Sequence, residues 1–533
     1  MRLPPGLSSK DFSDATKQFE EAVGKDWVFT SEEDVDLYRD PYSPYWQEPE
    51  EPIPSAAVAP NSVEQVQQVV RIANTYKIPL WTVSTGKNLG YGGPAPLLSG
   101  SMVLDLKRMD RVLEVNDKNH YVLLEPGVSY FDLYRYIQER GLKVWIDVPD
   151  PGWGSPIGNS LDRGGGYTPL RDHFDAHCGM EVVLANGDIV RTGMGALPGA
   201  QTWQQYRYGF GPYVDGMFSQ SNFGVVTKMG FWLLPQPEGY RSGRVMVPKH
   251  DDLIPLVDEI SYLLNSNICQ GTTTLMSPLL SHVAAQGGGG AALLATPDGP
   301  SVAQLEKMAQ DQNLPYWATE FYFWGPPKVV DAQWEYCRER CSSIPGATFV
   351  DGKLYQAPYD AQQLASAPKR QFGIPSLEIF GMMGRSEGHM WFSPMIPMTG
   401  EAVFEAQRVF GQAYKDMGVP AGQQLFVFPS SFFPRSFVIL CGFPITHDVK
   451  TNQRSREIFR HLVKVAAEHG WGEYRTPTYF MQTVSDVYSY NNHALRRFHE
   501  TIKDALDPNG ILSPGKCGIW PKHMRQAKGA SGA

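Results

Sequence analysis

The chain has 533 residues, of which 42% are hydrophobic and 19% charged, and its formal net charge is −9. This composition excludes a largely disordered chain and favours two or three domains with a large packed core. The negative charge argues against nucleic acid as a partner, because phosphate binding requires a basic surface.

The cysteines and the hydropathy pattern indicate where the protein works. Six cysteines are scattered without a Cys-x-x-Cys pair, a pattern typical of reduced thiols inside a cell rather than of a disulfide framework. The first residues lack the apolar segment of a secretory signal, and no apolar run approaches the roughly eighteen residues of a membrane span. We therefore expect a cytoplasmic protein that does not bind membranes.

The first hundred residues predict an α/β unit. Periodicity and capping residues predict, in chain order, a helix over 10–30, an extended linker over 41–54, a short strand over 56–59, a helix from 63 to 76 capped by Ser62, and a strand over 78–83.

A glycine-rich loop over residues 84–94, the first glycine-rich loop, follows that strand. It holds four glycines within eight residues, together with Lys87 and Tyr91. Glycine lets backbone N–H groups approach a bound group closely, which suits a phosphate or pyrophosphate. The loop lacks the Walker A and dinucleotide fingerprints, so a purely structural turn stays open at this point.

Two further loops, only one of them as rich in glycine, occur before residue 240. The second glycine-rich loop spans 151–167 and contains one charged pair, Asp162-Arg163. The third loop spans 218–227. The intervening sequence predicts strands over 102–106, 111–115 and 121–125, a helix over 129–140, and a hairpin of strands 180–184 and 189–192.

The texture of the chain changes after a break at 235–239. Longer helices interleaved with strands predict an antiparallel α+β domain from 242 to about 470, followed by a helix over 484–506, a turn at 507–510 and a glycine-rich end over 511–518. The longer predicted helices of that domain span 253–264, 302–312, 329–342, 404–415 and 454–468.

Ordered motifs along nearly the whole chain resemble the vanillyl-alcohol oxidase and p-cresol methylhydroxylase family of FAD-linked flavoproteins. They are Ser84-Thr85-Gly86-Lys87-Asn88, Gly90-Tyr91-Gly92-Gly93, Gly158-Asn159, Leu161-Asp162-Arg163-Gly164, Gly166-Tyr167-Thr168-Pro169, Arg191-Thr192-Gly193-Met194-Gly195-Ala196-Leu197-Pro198, Tyr208-Gly209-Phe210-Gly211-Pro212, Gln220-Ser221-Asn222, Gly472-Glu473-Tyr474-Arg475-Thr476 and Asp507-Pro508-Asn509-Gly510.

The resemblance implies an α+β fold with a two-part FAD-binding domain and an antiparallel α+β cap domain over the substrate. We expect the FAD-binding domain over 1–241, the cap over 242–473, and a C-terminal segment over 474–533 that returns to the FAD-binding domain. The resemblance implies that the cofactor is FAD. The residues expected to bind it are Thr85, Gly86, Lys87, Asn88, Leu89, Gly90, Ser155, Gly158, Asn159, Leu161, Gly224, Val226, His389 and Lys516.

His389 matches the histidine that bonds covalently to the flavin 8α-methyl group in several relatives. Taken without the resemblance, a histidine before an apolar strand is more often a packed residue. This chain also departs from the family here, because the relatives often carry a second, activating histidine near the N-terminal Asp-Pro, and Asp40-Pro41 has none nearby.

The resemblance assigns Tyr91, Tyr474 and Arg475 to binding of a phenolate. A cation and two phenol O–H donors around one oxygen stabilise its anion. A para-alkylphenolate can then lose hydride from its benzylic carbon and become a para-quinone methide. The alternative for Tyr474 and Arg475 is a surface salt-bridge pair.

Asp162 matches the acid beside the reacting carbon, where it would activate water or take up a proton. The alternative is a structural carboxylate that pairs with Arg163 or caps a turn. His173 and His177 have metal-compatible spacing, but without a third ligand we interpret both as structural and expect no metal.

The cap strand that lines the pocket departs from the family. The relatives usually carry Arg-Glu-Met-His-His, whereas residues 426–437 here are mostly apolar and aromatic. Phe428 and Trp391 are therefore expected to line the substrate pocket, and a bulkier or more apolar phenol, such as a lignin-derived one, is the expected substrate.

The expected partners are a small phenolic substrate and O2, which would give H2O2. The alternative is a dehydrogenase or hydroxylase that passes electrons to a cytochrome c, and a flavin-carrying protein without turnover is a third candidate. The expected assembly is a homodimer or a higher homo-oligomer.

Overall fold

A computed structural model describes residues 2–88, 90–285, 299–382, 387–419 and 429–528. Its N-terminal part begins with a mixed sheet in which Ala57–Val58 and Leu80–Val83 both pair in parallel with Met102–Asp105, while Val28–Phe29 closes the edge in antiparallel pairing. The predicted strand–helix–strand unit is thus confirmed. Helices Ser9–Val23 and Val63–Tyr76 contact each other and pack into one hydrophobic core with this sheet.

The helix start that the sequence predicts from Ser62 is confirmed, and the predicted helix over 129–140 begins with a capping motif of its own. The Ser62 hydroxyl accepts a hydrogen bond from the N–H of Gln65. Ser129 and Asp132 form a reciprocal capping box at the start of Tyr130–Glu139. The first helix is shorter than predicted: it ends at Val23, because Gly24 adopts a positive φ of 90° that terminates the helix.

An antiparallel sheet forms the second layer of the N-terminal part. Its strands, in spatial order, are Val112–Asn116, Tyr121–Leu124, Val225–Trp232, His177–Val183 and Ile189–Arg191. The last two form the predicted hairpin, whose turn has Gly187 at a positive φ of 85°. A small antiparallel pair joins Val144–Trp145 to Leu234–Pro235.

Antiparallel sheets and long helices form the cap. One sheet contains Trp317–Gly325, Gly239–Val247, Thr348–Asp351 and Tyr355–Gln356, a second contains Met395–Pro397, Ser436–Ile439 and Pro429–Phe433, and Gly388–Phe392 pairs with Cys441–Ile445. The predicted long helices are confirmed as Leu253–Asn265, Val302–Gln312, Pro327–Cys341, Gly400–Asp416 and Val449–Glu468. Short helices span Glu32–Asp36, Pro156–Leu161, Pro278–Ala285, Ala361–Ser366, Ile379–Met382 and Lys522–Lys528.

The prediction of one helix over 484–506 is wrong. The chain forms Met481–Val487 and Tyr490–Leu506, and Asn491, Asn492 and His493 have left-handed backbone angles near the start of the second helix. Asparagine tolerates this region better than most residues do. Helical periodicity continues across the interruption, which explains why the pattern did not reveal it.

The C-terminal segment returns to the first sheet. The N–H of Leu80 donates to the carbonyl of Ile511 at 2.6 Å, and the N–H of Ser513 donates to the carbonyl of Leu80 at 2.7 Å. Lys503 is fully buried beside Asp507, with 2.7 Å between Nζ and Oδ2, and it also donates to the carbonyl of Leu512. These contacts join the C-terminal segment to the first sheet of the N-terminal part.

Within the described residues, the structure contains neither a membrane-spanning helix nor a disulfide bond. None of those helices is long and apolar enough to cross a bilayer. The six cysteines, all within the described ranges, are free thiols, and five of them are buried.

Candidate active site

A cavity of about 1090 Å³ opens where the three loops meet the cap and the C-terminal end. Residues from both halves of the chain line it. This places the first and second glycine-rich loops, which the sequence separates by more than fifty residues, on one surface.

The first glycine-rich loop forms one wall. Gly86 and Gly90 take positive φ values of 66° and 73°, which turn the backbone directly after strand Leu80–Val83. A side chain at Gly158 would overlap the Ser84 hydroxyl, so the first and second loops are in close contact. Four of the residues expected to bind the cofactor line the cavity from this loop: Thr85, Gly86, Lys87 and Asn88.

The second loop and the C-terminal end supply the remaining walls. Ser155 caps helix Pro156–Leu161, its hydroxyl accepting the N–H of Gly158 at 3.4 Å. Seven residues expected at the cofactor line the cavity here: Ser155, Gly158, Asn159, Leu161, Gly224, Val226 and Lys516. Asn222 joins the third loop to the C-terminal end by donating to the carbonyls of Ser513 and Ile519, each at 3.0 Å.

His173 holds Asn159 from behind the cavity. Its Nδ1 lies 2.5 Å from Asn159 Oδ1, and its Nε2 lies 3.3 Å from Asp147 Oδ2. His177 contacts a different carboxylate, with 3.2 Å between Nε2 and Asp215 Oδ2. The two imidazole rings thus contact different buried carboxylates. Within the described ranges, no group of three metal-binding side chains comes together.

Two phenols converge at the end of the cavity. The hydroxyls of Tyr91 and Tyr474 are 3.4 Å apart, and the Tyr91 hydroxyl lies 2.6 Å from the Ser393 hydroxyl. Burial raises the pKa of Tyr91 well above its ordinary value. Tyr91 therefore stays protonated near neutral pH and can act as a hydrogen-bond donor.

Arg475 adds a cation to the two phenols. Its guanidinium carbon lies 3.9 Å from the centre of the Tyr91 ring, and its Nη2 donates to Asn88 Oδ1. Among the described residues, no group accepts a hydrogen bond from its buried Nε. This unpaired donor favours a ligand oxygen at the same place.

Asp162 lies on the other side of Asn88. Its Oδ2 accepts a hydrogen bond from Asn88 Nδ2 at 3.0 Å, and its Oδ1 is 3.7 Å from Lys516 Nζ. Arg163 points elsewhere and donates to the Ser219 hydroxyl at 3.1 Å. The alternative pairing of Asp162 with Arg163 is therefore wrong, and Asn88 bridges the acid to Arg475.

His389 and Trp391 lie on cap strand Gly388–Phe392 beside the first glycine-rich loop. Trp391 lines the cavity, and its backbone N–H donates to the carbonyl of Gly90 at 3.0 Å. His389 is buried, and among the described residues nothing bonds to its Nε2. Burial lowers the pKa of His389 to about 4, so its imidazole is neutral at pH 7.

Apolar side chains of the cap complete the cavity. Phe432 and Phe433 line it, and the Phe433 ring centre lies 5.5 Å from that of Tyr474. Leu89 and Phe428, the remaining predicted site residues, lie outside the described residues.

Sequence reasoning missed two residues that organise this cluster. Gln220 donates from Nε2 to the carbonyl of Tyr474 at 2.7 Å, and Ser393 contacts Tyr91. Alternation along the strand was the available signal for Ser393, since positions 389, 391 and 393 share one face. Gln220 lies in the family motif Gln220-Ser221-Asn222, but the motif does not indicate its contact, because the partner is 254 positions away.

The two-part domain and the cavity between its glycine-rich loops define a flavin-binding oxidoreductase fold. Residues 54–193 match a family model described as an FAD binding domain. The chain is 34% identical over 524 residues, 97% of each chain, to the flavoprotein subunit of hydroxylating 4-cresol dehydrogenase from Pseudomonas putida. The chain therefore belongs to the p-cresol methylhydroxylase-type family of flavoproteins, which confirms both the resemblance and the expected fold class.

Two solved structures superpose over nearly the whole chain. p-Cresol methylhydroxylase with substrate bound has a TM-score of 0.84 at 32% identity, covering 98% of this chain and 99% of that chain. 4-Ethylphenol oxidase from Gulosibacter chungangensis, in its isoeugenol complex, has a TM-score of 0.84 at 34% identity, covering 98% and 100%.

The contact between Gly90 and the cap strand leads to a testable prediction. A side chain at Gly90 would overlap the Trp391 ring and lie 2.9 Å from His389 Nε2. We expect Gly90→Ala to lower both the melting temperature and the flavin-to-protein absorbance ratio. Gly141→Ala is the matched control, because Gly141 also has a positive φ, of 61°, but open space around it. That control should show only the backbone strain of about 1–2 kcal/mol; equal losses in both variants would contradict the crowding argument.

Proposed function

We propose that this protein catalyses the FAD-dependent oxidation of para-substituted phenols at the benzylic carbon, through a para-quinone methide, with O2 as the electron acceptor. The observation that carries the proposal is the convergence of the Tyr91 and Tyr474 hydroxyls, 3.4 Å apart, beside the unpaired Nε of Arg475. The relatives support it, since one is named for 4-cresol and another for 4-ethylphenol.

The residues present fit FAD. The glycine-rich loops permit a close backbone approach to a pyrophosphate. Lys516, at the cavity wall, offers a cation, and the Nε2 of His389, which has no partner among the described residues, is free to meet a bound group. When bound, FAD supplies the acceptor for the hydride that leaves the substrate.

The two tyrosines and Arg475 hold the substrate oxygen in this proposal. Protonated phenols donate to it, and the guanidinium compensates its negative charge in a site shielded from water. Holding the substrate as its phenolate places electron density at the para position. The benzylic carbon then releases a hydride more readily.

Asp162 handles protons on the proposed pathway. Its Oδ2 is oriented by Asn88, and Lys516 lies near its Oδ1. From this position the carboxylate takes a proton from water as the water adds to the quinone methide, or from the intermediate itself. Asn88 connects Asp162 to Arg475. One hydrogen-bond network would therefore contact both the phenolate oxygen and the benzylic carbon end of the substrate.

His389 is the proposed attachment point of the flavin 8α-methyl carbon. A neutral imidazole is the nucleophilic form, and burial keeps His389 in that form. The ring of Tyr42 lies 5.5 Å from the His389 ring, on the side of the Asp40-Pro41 segment where relatives carry the activating histidine. At that place this chain would therefore supply an aromatic ring beside His389 instead of a second histidine.

The apolar cap wall favours an alkyl or alkenyl group on the phenol. Phe432, Phe433 and Met395 line the cavity together with Leu440. Their side chains bury apolar surface and offer no charge to a polar substituent. A bulkier 4-alkylphenol or a lignin-derived phenol is the substrate class we propose.

Transfer of electrons to a cytochrome c is the second candidate for the acceptor. It is favoured by the 34% identity to a protein named as the flavoprotein subunit of a dehydrogenase.

The proposal also divides the chain into an FAD-binding domain over 1–241, a cap over 242–473 and a returning segment over 474–533. The pairing of Leu80 with Leu512 supports that return.

The phenol hydroxyl should be obligatory. We expect a 4-alkylphenol to be oxidised at least about 10²-fold faster than its methyl ether, because the ether cannot become the anion that the site stabilises. Oxygen uptake and peroxide formation, measured with and without added cytochrome c, test the substrate and the acceptor together. Equal rates for the phenol and its ether would exclude the phenolate mechanism.

The flavin should remain attached to denatured wild-type protein. After acid precipitation, we expect yellow pellets from the wild type and from His250→Ala, and free FAD in the supernatant of His389→Ala. His250 is a suitable control because it lies in the cap and contacts Asp251 and Phe404 rather than the cavity. Stoichiometric release of FAD from the wild type would disprove the bond without affecting the family assignment.

Asp162→Asn should retain the flavin but slow its reduction by on the order of 10²-fold, the usual scale for loss of an acid–base group. The amide keeps the size of the side chain and can still accept from Asn88, so the change isolates proton handling. Rapid-mixing kinetics on protein of verified flavin content measure the rate, and product analysis measures water addition. Wild-type kinetics with unchanged products would remove Asp162 from the mechanism.

A further inference from the structure

Three alternate residues of one cap segment face the first glycine-rich loop. The N–H of Trp391 donates to the carbonyl of Gly90, and His389 Nε2 lies close to where a Gly90 side chain would begin. Two positions further on, the Ser393 hydroxyl lies 2.6 Å from the Tyr91 hydroxyl. Because side chains alternate along an extended strand, this face presents Ser393 to the loop as it presents His389.

Ser393 also holds the second phenol, through its backbone. Its carbonyl accepts the N–H of Tyr474 at 3.3 Å, and the N–H of Met395 donates to the carbonyl of Gly472 at 2.9 Å. These bonds align the 393–395 segment with the 472–474 segment. Ser393 is thus bonded to Tyr91 by its side chain and to Tyr474 by its main chain.

The direction of the Ser393–Tyr91 hydrogen bond decides whether Tyr91 can donate to a substrate oxygen. A phenol carries one O–H hydrogen, and a serine hydroxyl can either donate or accept. If Tyr91 donated to Ser393, its hydrogen would be unavailable to a substrate oxygen. If Ser393 donates, the Tyr91 hydrogen is free and the phenol becomes a stronger donor, because hydrogen bonds in a chain polarise one another.

The surroundings of Ser393 are compatible with this direction. Ser393 is fully buried, and its N–H donates to Glu473 Oε2 at 3.4 Å. Burial raises the pKa of Glu473 well above its ordinary value, which favours its uncharged form. This contact fixes the Ser393 backbone and leaves the Ser393 hydroxyl for Tyr91.

We propose that Ser393 is a positioning residue whose hydroxyl donates to Tyr91 and whose carbonyl anchors Tyr474, so that both phenol hydrogens point at one substrate oxygen. This inference rests on the proposed function, since it assigns how the phenolate site is preorganised. Its consequence is that the Ser393 hydroxyl strengthens binding of a phenolate more than binding of the neutral phenol.

The test uses holoenzyme and 4-nitrophenol, whose anion is identified by its absorbance. Difference spectra across a pH series give the pKa of the bound probe. We expect the wild type to lower that pKa below the value in water, and Ser393→Ala to raise the bound value by about half a unit to one unit, a three- to tenfold weaker preference for the anion. Ser393→Thr keeps the hydroxyl and should retain the wild-type value.

Two further variants keep the result decisive. Ser101→Ala removes another fully buried hydroxyl, whose bond to the Leu98 carbonyl is 2.7 Å long and lies away from the cavity, and it should leave the bound pKa unchanged. Ser393→Cys preserves the shape with a weak donor, and it should reproduce the alanine effect even if the alanine variant loses its flavin.

The outcomes separate the two proposals. A wild type that binds 4-nitrophenol without lowering its pKa would overturn the phenolate site and the inference with it. A wild type that lowers the pKa, together with Ser393→Ala and Ser393→Cys variants that lower it equally, would overturn the role of Ser393 alone. A raised pKa in both variants and a wild-type value in Ser393→Thr would establish it.

Discussion

The absence of a side chain at Gly90 is the constraint on which the site depends. It allows the cap strand Gly388–Phe392 to approach the first glycine-rich loop until the N–H of Trp391 reaches the carbonyl of Gly90. That one approach places His389 and Trp391 at the loop and sets the register by which the following segment reaches Tyr91. A larger residue would separate the cap from the cofactor-binding part where the two must share one surface.

Burial also influences which side chains of the site carry a charge. Burial raises the pKa of both Tyr91 and Glu473, because transferring their charged forms from water into the protein is unfavourable. Arg475 and Lys516 both line the cavity, and Asp162 is linked to Arg475 through Asn88 and lies 3.7 Å from Lys516. A site of this composition favours a ligand that carries negative charge on an oxygen, which is the requirement for recognising a phenolate.

Contacts between the C-terminal segment and the N-terminal part stabilise this arrangement. Lys503 donates to Asp507 and to the carbonyls of Asn222 and Leu512, so that a fully buried cation is completely paired. Removing one partner of such a pair is much more destabilising than never burying it. The same contacts hold the C-terminal end against the third loop, which brings Lys516 to within 3.7 Å of Asp162 Oδ1.

The sequence by itself determined the local elements and the chemical inventory of this protein. Capping by Ser62, the long cap helices and the glycine-rich loops depend on neighbours within a few positions, so the sequence alone predicts them. Family motifs identified Tyr91, Asp162, Tyr474 and Arg475 as residues of one site. Only the tertiary structure decided that Asp162 turns to Asn88 and Lys516 instead of Arg163, that Gln220 holds Tyr474, and that Ser393 links both phenols. Those contacts join residues between 74 and 354 positions apart, and no periodicity in a sequence encodes which distant side chains will meet when sheets, cap and C-terminal segment pack together.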